Sequence, residues 1–189
     1  YHNNLYILPT SGASFYKFED NKWQEIYKLK LSKDEKQQIF DAFKKTFIEI
    51  KYQHPTITYG QIIEDRECEV AFSTLGQEAP LSERLALKYD RRSEIIKSLQ
   101  PKLTDFKISL SGVNTIDVTR IGIDKGYAVE QVAKIAGVDI SEMIFVGDAI
   151  FEGRNDYTVV RTGIDTVKVS DPSDTKLFIN TVIEHFQTS

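Results

Sequence analysis

The first third of the chain alternates short apolar runs with turn-forming residues, a pattern that predicts strands followed by a helix. We expect one strand over residues 4–9 and a hairpin between residues 14–18 and 23–27. Ser32 and Glu35 form a capping box, in which each side chain can bond the other's backbone N–H. The helix that follows carries apolar residues at helical spacing, namely Ile39, Phe40, Phe43 and Phe47.

The middle third repeats one order of elements, a helix followed by two strands. After the first helix, residues 61–66 and 69–73 predict two strands around a tight turn. A helix over residues 81–99 follows, and then strands over 106–110 and 115–119. This order is typical of a small α+β module inserted into a different domain.

The last third alternates helices and buried strands. The apolar spacing over residues 128–135 predicts a helix that ends at Gly137. Met143–Val146 and 166–169 are apolar runs of the kind buried on both faces of a parallel sheet. A final helix begins at Pro172. Helix–strand–helix–strand–helix indicates a doubly wound parallel sheet, so the sequence predicts an α/β protein with a Rossmann-like core and an inserted α+β cap.

The composition of the chain excludes or disfavours several classes of function. The 189 residues carry a net charge of −4, which disfavours a dedicated nucleic-acid binder. The sequence has no apolar run long enough for a membrane span and no signal-peptide pattern, so we expect a cytoplasmic protein. Cys68 is the single cysteine, which excludes an internal disulfide. The three histidines share no metal-binding spacing, and no Ser–His or Cys–His nucleophile pattern is visible.

Candidate chemistry concentrates after the Met143–Val146 strand. Asp148 emerges at the strand's carboxyl end, where open α/β sheets place their ligand sites, and Asn155 and Asp156 add further oxygens. Hard oxygen donors of this kind suit Mg²⁺. Lys125 begins a helix, where a cation is unfavourable unless an anion such as a phosphoryl group is nearby. A tight turn, a helix cap and a solvated lysine would account for the same residues.

A second candidate set lies in the inserted module. Arg66 and Arg84 occur with Gln77, and Thr115 and Asp117 alternate onto one face of a strand. Arginine forks bind phosphate with paired hydrogen bonds, and an aspartate accepts hydrogen bonds from sugar hydroxyls. Surface ion pairs are the alternative explanation.

The order of these motifs resembles a known family. Two segments are similar to the third and fourth motifs of haloacid-dehalogenase-type phosphotransferases: Asp124-Lys125-Gly126, and Phe145-Val146-Gly147-Asp148 continuing to Gly153-Arg154-Asn155-Asp156. More narrowly, five segments resemble the phosphomannomutase branch of that family. They are Ile63–Arg66, Leu75–Gln77, Glu83-Arg84, Thr115–Val118 and Val169–Thr175.

The resemblance implies a two-domain enzyme, with residues 1–29 and 114–189 in the core and 30–113 in a cap that closes over it. It implies that Asp148 ligates Mg²⁺ with support from Asn155 and Asp156, and that Lys125 steadies the transferring phosphoryl group. A sugar phosphate would be held in the cap by Arg66, Gln77, Arg84, Thr115 and Asp117. The same likeness suggests a homodimer formed through the cap.

Two departures qualify the likeness. The family's nucleophile lies in an Asp-x-Asp-Gly-Thr segment, which these 189 residues do not contain. We therefore expect the first strand–helix unit of the core to be missing and the chain alone to be inactive, since no aspartyl-phosphate can form without that carboxylate. Gln77 stands where the mutases carry arginine, which leaves phosphatase action more open.

Three functions follow as hypotheses. The first is a Mg²⁺-dependent phosphotransferase on hexose phosphates, either a mutase or a phosphatase. The second is a catalytically inactive fragment or pseudoenzyme that binds sugar phosphate or a protein partner. A response-regulator-like switch shares the strand-end aspartate but does not explain the inserted cap.

Overall fold

The computed structural model describes residues 4–87 and 90–188 of the chain. These residues form two compact units, which divide between Ile123 and Asp124. The sheets and helices are those of a mixed α/β protein, as the sequence predicts. Within the described ranges, no helix is long and apolar enough to cross a bilayer.

The first unit begins with a three-stranded antiparallel sheet in the order β1-β2-β3. Its strands are β1 (Tyr6–Ile7), β2 (Ser14–Glu19) and β3 (Lys22–Lys28). The predicted hairpin is confirmed: Asp20 and Asn21 have φ of 52° and 58°, which suits a two-residue turn between twisted strands.

The strand predicted over residues 4–9 is shorter than expected. Only Tyr6 and Ile7 pair with β2. Pro9 has no backbone N–H to donate, and Thr10 and Ser11 both adopt positive φ, so the chain turns away from the sheet.

A second sheet carries four antiparallel strands in the order β4-β5-β7-β6. The strands are β4 (Ile63–Asp65), β5 (Val70–Ser73), β6 (Phe106–Ser111) and β7 (Thr115–Arg120). The helix α1 (Lys33–Glu49) begins at the predicted capping box, with both reciprocal bonds present between Ser32 and Glu35.

The core of the first unit lies between this sheet and its helices. Val70 and Phe72 of β5 and Ile116 and Val118 of β7 are fully buried in one apolar cluster with residues of α1 and of a later helix over Arg92–Leu99. Because strand side chains alternate, the residues between them face the other side of the sheet. That second face is polar and carries Thr115 and Asp117.

The helix predicted over residues 81–99 is two helices, α2 (Leu81–Ala86) and α3 (Arg92–Leu99). Leu87 takes an extended conformation with ψ 104°, which ends α2. The Asp90 carboxylate accepts a hydrogen bond from the backbone N–H of Arg92 at 3.0 Å, which favours a new helix start. Residues 88 and 89 of the predicted helix lie outside the described residues.

The second unit contains the only parallel strand pair of the described ranges, β8 (Ile144–Gly147) with β9 (Asp165–Lys168). Two helices, α4 (Lys125–Ala136) and α5 (Pro172–Thr188), complete the predicted alternation. Between the two strands the chain forms a 3₁₀ helix over Asp156–Thr162. The unit's own small core consists of Val129, Val159 and Ile164 with Ile140, Met143 and Phe145.

The structure also bears on how the chain is divided. The prediction placed residues 1–29 and 114–189 in the core and 30–113 in the cap. In the structure, however, β7 (Thr115–Arg120) is hydrogen-bonded between β5 and β6 as part of the four-stranded sheet. The compact units meet at Ile123, and the predicted core and cap boundaries stay a prediction.

Candidate active site

The carboxylate of Asp148 stands at the end of a parallel strand. β8 ends at Gly147, and Asp148 follows as an exposed residue in a bend. No other described residue hydrogen-bonds or ion-pairs with its side chain. A carboxylate in this position is free to accept a cation or a hydrogen-bond donor.

Lys125 and Asp156 form an ion pair in the same unit. Lys125 is the first residue of α4, and its Nζ donates to Oδ1 of Asp156. Asp156 is 1% exposed, and its other oxygen accepts from the backbone N–H of Ala149 at 3.1 Å. One buried carboxylate therefore holds both Lys125 and the residue that follows Asp148.

This ion pair explains why a lysine is tolerated at the start of a helix. The positive end of the helix dipole repels the Lys125 ammonium, and the adjacent Asp156 carboxylate compensates. The position of Lys125 in the sequence predicts a nearby anion, such as a phosphoryl group. The structure supplies one from the protein itself.

Gly147 allows the Asp156 carboxylate to approach the end of β8. A Cβ built on Gly147 would lie 2.5 Å from Oδ2 of Asp156 and 2.7 Å from the Phe145 ring. Neither contact is sterically possible, so residue 147 has to be glycine for this arrangement. The segment Phe145-Val146-Gly147-Asp148 contains this glycine, but the sequence alone does not show why a glycine is needed there.

The start of α4 is fixed against the 3₁₀ helix. Asp124 caps α4 by accepting from the N–H of Tyr127 at 3.0 Å, and it also accepts from Arg161 Nη1 at 2.7 Å. A Cβ on Gly126 would lie 2.5 Å from the carbonyl oxygen of Thr158. This close packing holds Lys125 in register with Asp156.

The oxygen donors can be compared with what Mg²⁺ requires. Asp148 has a free carboxylate, and the half-buried Asn155 has a side-chain amide that caps nothing. Both oxygens of Asp156 are already engaged. The described ranges hold no cluster of three or more His, Cys, Asp or Glu side chains placed to bind a metal. This set fits Mg²⁺ because that ion uses one or two carboxylates and takes its other ligands from water and phosphate.

Two cations lie near the loop that follows Asp148. Arg154 and Lys168, the last residue of β9, approach the ring of Phe151, with Cζ at 5.5 Å and Nζ at 5.7 Å from its centroid. Such contacts hold a cation over an aromatic face without neutralising it. The carboxyl end of the parallel strands therefore carries positive charge that is available to an anion.

In the first unit, three of the predicted cap residues meet. Arg66 Nη2 donates to the Gln77 side-chain oxygen at 2.8 Å, and Gln77 Nε2 donates to the carbonyl of Ala71 at 3.1 Å. Arg84 donates through Nη2 to the carbonyl of Gln77 at 2.6 Å and through Nε to that of Ala79 at 2.7 Å. The guanidinium of Arg84 is thus committed to the backbone.

The two predicted strand residues lie beside this group. Asp117 is the cross-strand partner of Ala71, and Thr115 is the partner of Ser73. Burial raises the pKa of the Asp117 carboxyl, although Ser111 and Arg66 counteract it. Its Oδ1 is buried without a hydrogen-bond partner among the described residues. The structure therefore brings Arg66, Gln77 and Asp117 together at the polar sheet face, whereas Thr115 lies further along β7 and Arg84 of α2 is bonded to the backbone beside Gln77.

Sequence reasoning missed one member of this group, Glu69. Its Oε1 accepts from Arg66 Nη1 at 3.1 Å, and the residue is 4% exposed. Burial, reinforced by the negative charge of Asp117, raises the pKa of Glu69 to about 7 despite the Arg66 partner. The available signal was period-two spacing, because Glu69 precedes Ala71 by two residues and shares its face.

The sequence matches one protein family over almost its whole length. A model of the eukaryotic phosphomannomutase family matches residues 2–185. A phosphomannomutase from Spinacia oleracea is 32% identical over an alignment of 181 positions, and the alignment covers 90% of this chain and 68% of the spinach protein.

Solved structures give the same fold at low sequence identity. The N-terminally truncated, IMP-bound IMP-nucleotidase of Plasmodium falciparum matches 97% of this chain with a TM-score of 0.66 and 16% identity. An IMP-bound mutant of that nucleotidase matches with a TM-score of 0.63 and 15% identity. This chain spans 49% of the length of either nucleotidase, and the likeness is one of fold alone.

Proposed function

The chain belongs to the eukaryotic phosphomannomutase family, and we propose that it forms part of a Mg²⁺-dependent phosphotransferase acting on hexose phosphates. The observation that carries this proposal is the free carboxylate of Asp148 beside the Lys125–Asp156 pair. Phosphoryl transfer depends on positioning and on charge stabilisation, and these are the groups that would supply both.

In the proposed site, Asp148 and Asn155 would hold a Mg²⁺ ion, and its charge would neutralise the phosphoryl oxygens. Asp156 orients the Lys125 ammonium and fixes the loop through the N–H of Ala149. Direct ligation by Asp156, as the sequence suggested, remains part of the prediction. Lys125 would stabilise the transferring phosphoryl group as a point charge.

The carboxylate that would carry the phosphoryl group is proposed to come from outside these 189 residues. No Asp-x-Asp pair occurs in them, and nucleophilic transfer through an aspartyl-phosphate needs such a carboxylate. The cap residues Arg66, Gln77, Arg84, Thr115 and Asp117 are proposed to bind the sugar.

The test uses the full-length protein with Mg²⁺ and hexose phosphates. Phosphate release and hexose 1-/6-phosphate interconversion are both measured, and they separate a phosphatase from a mutase. Asp148→Ala is expected to lower either rate by about a hundredfold or more. Unchanged rates in a folded Asp148→Ala variant would exclude the proposed metal ligand.

Asp165 provides a matched control. It is also an exposed aspartate, but it begins β9 and pairs with Ile144, so it lies at the opposite, amino end of the two parallel strands. Asp165→Ala is expected to retain full activity. An equal loss in both variants would indicate a general effect of removing surface charge.

The second hypothesis is a protein that binds sugar phosphate without catalysis. It predicts that the full-length protein binds hexose phosphate and turns none of it over. Calorimetric binding without phosphate release or isomerisation would favour it over the enzyme.

A further inference from the structure

The start of α4 has backbone donors that find their partners outside the helix. The first N–H groups of an α-helix have no acceptor within the helix itself. Asp124 accepts from the N–H of Tyr127 at 3.0 Å. The N–H of Gly126, the residue next to Lys125, donates to the side-chain hydroxyl of Thr158 at 3.3 Å. A residue that lies 32 positions further along the chain therefore helps to cap α4.

The hydroxyl of Thr158 is also a donor. Its Oγ1 donates to the carbonyl oxygen of Asn155 at 2.8 Å. A hydroxyl has one proton and two lone pairs, so it makes both bonds at once. It thereby joins the backbone beside Lys125 to the backbone of Asn155, and both of these residues are proposed members of the active site.

The backbone of Thr158 makes a second contact with α4. Gly126 has no side chain, and a Cβ on it would lie 2.5 Å from the carbonyl oxygen of Thr158. The same carbonyl accepts from Arg161 Nη1 at 3.2 Å, and that nitrogen also donates to the capping carboxylate of Asp124 at 2.7 Å. The first turn of α4 thus meets the 3₁₀ helix at both the hydroxyl and the carbonyl of one residue.

Thr162 makes the same kind of bonds without reaching α4. Its hydroxyl donates to the carbonyl of Val159, three residues back, at 2.7 Å, and it accepts from the N–H of Ile164 at 3.3 Å. Thr158 likewise donates to a carbonyl three residues back. What distinguishes Thr158 is that the N–H bonded to its hydroxyl belongs to the helix that carries Lys125.

We propose that Thr158 is a positioning residue for the phosphoryl-transfer site. Its hydroxyl couples the start of α4 to Asn155 and so holds the Lys125 ammonium in place relative to Asn155 and Asp156. Catalysis by a fixed charge depends on its placement, and a displacement of about 1 Å can cost about a hundredfold in rate. This inference rests on the proposed function, but two of its three readouts need no turnover.

The hydrogen bond itself is tested by amide hydrogen exchange in the ¹⁵N-labelled full-length protein. Thr158→Val keeps the shape of the side chain, removes the hydroxyl and is expected to speed exchange of the Gly126 N–H by about tenfold. Thr158→Ser keeps the hydroxyl and should stay near the wild type. Thr162→Val is the matched control, which should speed exchange at Ile164 and leave Gly126 unchanged. Unchanged exchange of Gly126 in Thr158→Val would overturn the proposal, because the bond would not exist.

The effect on the lysine is followed through the side-chain ¹⁵Nζ signal of Lys125. Thr158→Val is expected to shift this signal, because the ammonium no longer meets Asp156 in one fixed geometry. Thr158→Ser and Thr162→Val should keep the wild-type signal. An identical Lys125 signal in Thr158→Val and the wild type would overturn the proposal, whether or not the protein turns over substrate.

The kinetic readout uses the full-length protein with Mg²⁺ and hexose phosphate. Thr158→Val is expected to lower kcat by about tenfold with little change in KM, because Lys125 acts on the transferring phosphoryl group. Thr158→Ser should recover most of the rate, and Thr162→Val should keep all of it. Equal losses in Thr158→Val and Thr162→Val would assign the effect to the stability of the 3₁₀ helix and would overturn the positioning role. Absence of turnover in the wild type would count against the proposed function instead, and the exchange and Lys125 measurements would still decide the role of Thr158.

Discussion

At the scale of single residues, the candidate active site depends on one glycine. Gly147 leaves the space into which Asp156 places its carboxylate, and that carboxylate in turn holds Lys125 and the N–H of Ala149. The geometry near Asp148 therefore rests on an absent side chain. A motif match identifies the glycine, but only the packing shows that its role is steric.

Gly147→Ala is expected to destabilise the second unit by about 1–3 kcal/mol, because the added methyl group overlaps Asp156 and Phe145. The measurement is urea unfolding followed by circular dichroism. Gly137→Ala is the control. Gly137 has φ +69° and open space around it, so this substitution destabilises the protein only through the strain of a left-handed backbone. Gly147→Ala should also weaken the Lys125–Asp156 pair, which Gly137→Ala should leave intact. Retained activity in a stable Gly147→Ala protein would contradict the steric role.

At the scale of elements, Glu35 connects α1 to the four-stranded sheet. Its carboxylate completes the capping box by accepting from the N–H of Ser32 at 2.6 Å, and it accepts from Arg120 of β7 at 2.6 Å. The Arg120 guanidinium, helped by Ser32, lowers the pKa of Glu35 to about 2, although burial opposes the shift. A helix start and a strand end are thus joined through one side chain.

Glu35→Gln is expected to lower the free energy of unfolding by about 1–2 kcal/mol at pH 7, because a charge-assisted bond is replaced by a neutral one. A carboxyl with a depressed folded-state pKa contributes stability above its unfolded value near 4.5, and that contribution is lost as the pH falls towards 2. The difference between variant and wild type should therefore shrink in acid. Asp34→Asn removes a charge from the same helix turn and is expected to cost less than Glu35→Gln. Equal losses would indicate a helix-dipole effect rather than the link to β7.

At the scale of the whole molecule, Glu69 and Glu35 have opposite effects on how the stability of the first unit depends on pH. The pKa of Glu69 is near 4.5 in the unfolded chain and is raised to about 7 in the folded state. Between pH 4.5 and pH 7 the folded state therefore binds one more proton than the unfolded state. Stability from Glu69 is fully present below pH 4.5 and is lost as the pH rises towards 7. Together the two groups favour a stability maximum near pH 5.

Unfolding by urea is expected to show a first unit that is less stable at pH 8 than at pH 5 by up to about 3 kcal/mol. Trp23 is the single tryptophan and lies in β3, so its fluorescence reports on this unit. Glu69→Gln is expected to remove most of the difference, because the titrating group is gone. The same slope in both proteins would mean that another group controls it.

The sequence alone determined most of the elements and the family. Periodicity and capping located the β2–β3 hairpin, α1 and α4, because these features depend on neighbours close in the chain. Motif order identified the phosphomannomutase likeness and named Lys125, Asp148, Arg66 and Asp117 as candidates. Local rules failed where the chain breaks a pattern, as at Leu87 between α2 and α3.

Only the tertiary structure decided how those candidates are paired. Asp156 lies 31 residues from Lys125, and Asp117 lies opposite Ala71 across a sheet, so no local spacing predicts either contact. The burial of Glu69 likewise depends on strands brought together from distant parts of the chain. Charge partners and desolvation are properties of three-dimensional neighbours, and they decide which candidate side chains are free to bind and which are already occupied.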